Sequence, residues 1–181
     1  MTPKSIRSHL SPYSIFSRRK TTIAHAFASA LAPSDAFDEE KVEAALVALG
    51  QRDLKRLTCV YCGKLAQTWD HLENLVKDGK LNGYGHQVGN LVPCCRDCNS
   101  AKGGKPFQAY VGTLPLSRDE MNDLVSRLKR HLAQASRIEM SALDAGEQAA
   151  FDRFNAIQAE ILALMEEADR CAEILRKRSD R

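Results

Sequence analysis

Apolar residues recur at helical spacing up to residue 50 and again after residue 113, and they lose that spacing in between. Ile23, Phe27, Ala30 and Leu31 fall on one face of a helix expected over 21–31, which Pro33 ends. Ser34 or Asp35 can cap a second helix with the stripe Phe37, Val42, Ala45, Leu46 and Leu49, and Gly50 is its stop. Ser117 and Glu120 make a capping box ahead of Met121, Leu124, Val125, Leu128 and Leu132, again on one face. Beyond Gly146 a long helix places Ala150, Phe154, Ile157, Ile161, Leu164, Ala168, Cys171 and Leu175 in alternating steps of four and three. That is a heptad seam. It suits a partner helix of the same chain and a second copy equally, so the period does not separate a C-terminal helical hairpin from a homodimer.

Residues 51–112 carry most of the cysteines, the only tryptophan and a run of glycines at 79, 83, 85 and 89. A strand is expected over 65–69, with His71 opening the glycine-rich loop. The chain thus reads as three parts: a basic arm with N-terminal helices over 1–50, a central segment over 51–112, and a helical hairpin or coiled-coil-like region over 113–181. The fold class is α+β, mostly helical. With 181 residues, 44% of them apolar, the composition is that of an ordinary globular protein. No apolar run approaches the roughly 18 residues of a membrane span. The first residues carry charge without an apolar block, which predicts a cytoplasmic protein. In that setting two clustered Cys-x-x-Cys pairs point to metal rather than to disulfides.

Charge sharpens this. Residues 51–112 hold nine basic and five acidic side chains, while residues 113–181 hold eleven and thirteen. The positive excess lies on the cysteine segment, where it attracts polyanions. Cys59-Val-Tyr-Cys62 and Cys95-Arg-Asp-Cys98 each bring two thiolates to one turn, and together they suit a closed, structural Zn²⁺ site. Cys94 is expected to be a small buried residue beside them, and Cys171 to be core on the heptad seam.

Between the pairs stand Trp69-Asp70-His71 and Asn90-Leu-Val-Pro, and Asn99, Lys102 and Gly103 follow the second pair. This combination resembles the HNH endonuclease family over residues 59–103, a quarter of the chain. The third motif letter is Asn99 rather than His, and Leu72 stands where Ile is usual. The resemblance implies a zinc-stapled ββα-metal module, in which two strands and a helix surround one catalytic ion. It also implies DNA cleavage to 5′-phosphate and 3′-hydroxyl ends, with Asn90 closing the loop that positions His71.

The residue chemistry agrees with that expectation. Phosphodiester hydrolysis needs an activated water and a cation. His71 is the natural general base. Asp70 and the Asn99 amide offer hard oxygens that suit Mg²⁺ or Mn²⁺. His86 is expected to contact substrate, and Lys102 and Lys105 to contact phosphate or solvent. His9, His25 and His131 read as surface or core residues, and Trp69 as core beneath the zinc knuckles. The leading function is a metal-dependent DNA endonuclease, in restriction or phage defence. The alternative is a non-catalytic zinc module that binds nucleic acid or protein, and a third option is an RNA-directed nuclease or toxin.

Overall fold

The computed structural model describes residues 3–8, 10–77, 79–139 and 143–179. His9 lies outside them. The fold is mixed α/β and mostly helical, with six α-helices and two two-stranded sheets among the described residues. The helices are α1 Ile15–Leu31, α2 Glu39–Ala48, α3 Arg96–Lys102, α4 Phe107–Val111, α5 Arg118–Leu132 and α6 Ala145–Ser179. The strands are β1 Thr68–His71, β2 Val76–Lys77, β3 Lys80–Leu81 and β4 Leu91–Cys94. None of these helices is long and apolar enough to cross a membrane.

The chain divides into two compact units, residues 1–27 with 141–181, and residues 28–140. This differs from the three-part reading: α2 and α5 belong with the cysteine segment, and the expected hairpin of α5 and α6 is split between the units. The reason lies in the apolar faces. Leu46 of α2, Leu49 that caps it, and Leu124 and Leu128 of α5 close over the core formed by Leu72, Val92, Phe107, Val111 and the buried cysteines. The segment is too short to bury its own apolar surface, so flanking helices complete it.

Local signals explain the helix ends. Asp38, not Ser34 or Asp35, caps α2 by accepting from the Lys41 amide at 3.1 Å. Phe37 therefore precedes the helix and stands 83% exposed, off the expected stripe. Gly50 follows with φ of 88°, the left-handed conformation that ends a helix best in glycine. The Ser117 capping box of α5 is complete.

β1 and β4 pair antiparallel, Thr68 opposite Cys94 and His71 opposite Leu91. β1 thus starts later than expected and includes His71. Leu65 instead bridges to Thr58 and closes the first cysteine turn. α3 begins immediately after β4.

In the other unit, α1 starts at Ile15, earlier than its periodicity implies, because two side chains cap it. Ser14 Oγ accepts from the Ser17 amide at 3.0 Å, and the Asp169 carboxylate of α6 accepts from the Ile15 and Phe16 amides at 2.7 and 3.1 Å. Phe27 and Phe154 pack with ring centroids 4.8 Å apart. α6 has 35 residues against 17 for α1, so the shorter helix covers only part of the seam. Phe154 and Ile161 are half-buried, while Leu164, Cys171 and Leu175 are exposed. Cys171 is therefore not core. A straight helix also drifts about 20° per heptad from a strict seven-residue repeat, which turns the far end of the stripe away.

Candidate functional site

The Sγ atoms of Cys59, Cys62, Cys95 and Cys98 lie within 4.8 Å of one another. Zinc–thiolate bonds of about 2.3 Å in a tetrahedron set sulfur separations near 3.8 Å, so the cluster can hold one zinc ion. Both turns are built for it. The Cys59 amide donates to Lys64 O at 2.7 Å and the Gly63 amide to Cys59 O at 2.9 Å, which folds the first pair inward. Cys95 caps α3 and places Cys98 in its first turn. Gln51 clamps the segment just before Cys59, accepting from the Thr58 amide at 2.8 Å and donating to Thr58 O at 3.0 Å. Cys94 is fully buried beside the four and is not one of them. Burial pushes the Cys62 and Cys98 thiols up, while the Cys94 hydrogen bond holds Cys59 down at about 4; a cation between them is what favours Cys62 and Cys98 as thiolates.

Along β1 the side chains alternate. Asp70 points into the core at 5% exposure, while Trp69 and His71 take the opposite face, and Trp69 is 47% exposed rather than core. The Asp70 carboxylate accepts from Tyr61 Oη at 2.8 Å and from Lys102 Nζ at 3.2 Å. Lys102 also donates to the His71 carbonyl at 2.8 Å. At 1% exposure this ammonium cannot meet a phosphate in solution. Its place is in the core, where it ties α3 to the end of β1. Burial raises the Asp70 carboxyl, against the lowering effect of Lys102 and Tyr61. Tyr61 is raised as well, first by burial and then by Asp70. As arranged, the Asp70 oxygens do not fit a divalent ion, because a fixed ammonium already supplies the neutralising charge. Asn99 is half-buried in α3, directly after Cys98. Lys105 is exposed and donates to Ala101 O at 2.7 Å, capping α3.

His71 Nε2 lies 3.1 Å from His86 Nδ1. Burial, then the His86 and Lys102 charges, hold the His71 imidazole down at about 4. The loop between the two histidines is fixed at both ends. Asn90 is fully buried; its Oδ1 accepts from the Glu73 amide at 2.8 Å, and its Nδ2 donates to Glu73 O and Gly85 O, both at 3.0 Å. His86 bridges to Ser34, with its amide on Pro33 O at 2.8 Å. A Cβ at Gly85 would run into the Pro33 carbonyl, which is why glycine stands there. So the glycine-rich stretch is pinned to the segment ahead of α2, a contact that no motif in the sequence announced. Tyr61 and Gln51 were also missed. Tyr61 sits inside the first Cys-x-x-Cys turn, where an aromatic is a weak cue.

His25 is exposed, and His131 is buried with Nε2 3.0 Å from Leu91 O. Burial lowers the His131 imidazole, so the folded chain keeps it neutral while the unfolded chain takes up a proton below about pH 6.5. Stability is therefore full above that value and falls as pH drops, by at most about 1.4 kcal/mol per pH unit from this group. Urea midpoints at pH 7.5 and 5.5 are expected to fall less in His131→Gln than in the parent. An equal fall in both would remove His131 from the acid sensitivity.

No protein-family model matches the chain, and neither a curated protein nor a solved structure does.

Proposed function

We propose that the chain is an endonuclease of the HNH type that hydrolyses DNA phosphodiester bonds with His71 as general base. One observation carries this: a half-buried His71 closes the first strand of a β1–β4 pair that runs directly into α3, with four cysteines bracketing the unit. Its low imidazole value keeps the ring neutral, with its lone pair free, across the physiological range, although it also weakens the ring as a base relative to a pKa near the working pH. When Nε2–H donates to His86 Nδ1, the Nδ1 lone pair of His71 is left to take a proton from water. His86 then holds the tautomer and the ring plane, and Asn90 holds the loop that carries His86. Cys59, Cys62, Cys95 and Cys98 would hold a zinc ion that serves the fold and would supply no chemistry to this step.

The Mg²⁺ or Mn²⁺ expected from the resemblance has Asp70 and Asn99 as its candidate ligands, and no step is routed through it. An ion reaches Asp70 only if Lys102 leaves the carboxylate. The closed Tyr61–Asp70–Lys102 network is the one feature that favours the second reading, a non-catalytic zinc module. Supercoiled plasmid incubated with the intact chain and no ion, Mg²⁺ or Mn²⁺ separates the two. Nicking with 5′-phosphate and 3′-hydroxyl ends supports the nuclease. Binding without conversion under every ion supports the module.

A further inference from the structure

Trp69 belongs to two grooves at once. On one side lies an apolar groove of about 270 Å³ with Phe37, Leu46, Val88, Leu91 and His131. On the other lies a groove of about 390 Å³ with Lys55, Arg56, Gln67, Thr68 and Pro93. An aliphatic ligand would need only the first groove, and an inorganic anion only the second. A nucleotide needs both, with its base against an aromatic face and its phosphate against cations. The base must be unpaired, since a base inside a duplex has both faces stacked and offers none to an indole.

We propose that Trp69 is the stacking platform of a single-stranded DNA subsite, with the base in the apolar groove and the adjoining phosphate at Lys55 and Arg56. The proposal rests on the nuclease reading only for the choice of DNA as the polyanion. Two further observations converge on it. Trp69 and His71 share one face of β1, two residues and roughly 7 Å apart, so a strand seated on Trp69 leads its next phosphate toward the histidine pair. Phe37, exposed ahead of α2, gives the groove a second aromatic edge.

The test uses the one-tryptophan chain itself, because its intrinsic fluorescence reports on Trp69 alone. The intact chain, loaded with zinc, is titrated without any other added divalent ion against oligothymidylate, the corresponding duplex, and polyphosphate. Oligothymidylate is expected to quench the emission, while polyphosphate binds with little quenching and the duplex quenches less. Trp69→Leu should bind labelled oligothymidylate about tenfold more weakly, or about 1.4 kcal/mol, within the range for one stacked base. Its polyphosphate affinity should be unchanged, and Trp69→Phe should recover most of the loss. Lys55→Gln with Arg56→Gln should weaken both ligands. The proposal is overturned if oligothymidylate binds with the emission unchanged, if Trp69→Leu binds as tightly as the parent, or if no oligonucleotide binds. Plasmid nicking read in parallel keeps the two claims apart. Nicking with a silent Trp69 removes the subsite and leaves the nuclease; quenching without nicking does the reverse.

Discussion

Stripping metal from the four-cysteine site, or replacing Cys98 with Ser, is expected to abolish the cooperative unfolding transition of residues 28–140. The four sulfurs stand within 4.8 Å and join the turn before β1 to the first turn of α3. Zinc held by such thiolates contributes on the order of 10 kcal/mol to folding, comparable with the entire stability of a domain this size. The apolar core cannot replace it, because Cys59, Cys95 and Cys98 are themselves buried members of that core. Elemental analysis of the purified chain should give one zinc per molecule, and a strong chelator should erase the thermal transition. A preparation that is folded, cooperative and free of zinc would contradict this.

The second large effect is expected at Lys102. Lys102→Met leaves the Asp70 charge buried without its partner, which costs about 3–5 kcal/mol. Asp70→Asn reverses the imbalance by stranding the ammonium, and the double variant Asp70→Asn with Lys102→Met should regain most of the loss, read as urea midpoints. The same series bears on the expected catalytic ion. If Mg²⁺ can take the place of the ammonium at Asp70, millimolar Mg²⁺ should stabilise Lys102→Met and not the double variant. Equal midpoints with and without Mg²⁺ would leave Asp70 as a structural carboxylate only.

How far the sequence revealed this molecule depended on whether the signal was local. The cysteine quartet was legible because ligand spacing is a property of two short turns. The capping box at Ser117 and the stop at Gly50 were legible for the same reason. Lys102 was read as a contact to phosphate or solvent because a lysine on the helix after a metal-binding turn is usually solvated; only the packing of α3 on β1 takes it inside. Trp69 was read as core because tryptophan is large and apolar, yet strand alternation assigns it the face opposite Asp70. His71 and His86 meet through a loop held by Asn90 and by the backbone of Pro33, a contact across more than fifty residues with no periodicity to betray it. The heptad seam of α6 was real as a pattern, but its cover depended on the length of α1, which two distant capping groups set.

The central claim is that His71 removes the proton in a phosphodiester hydrolysis, and the single-turnover rate of plasmid nicking by His71→Ala beside the parent tests it most directly. Both proteins are loaded with zinc, matched for folding by their thermal transitions, and assayed with the ion that best supports the parent. Loss of a positioned general base is predicted to slow cleavage by about 10²- to 10⁴-fold, with zinc content and oligonucleotide affinity unchanged. A His71→Ala chain that nicks at the parent's rate would contradict the account.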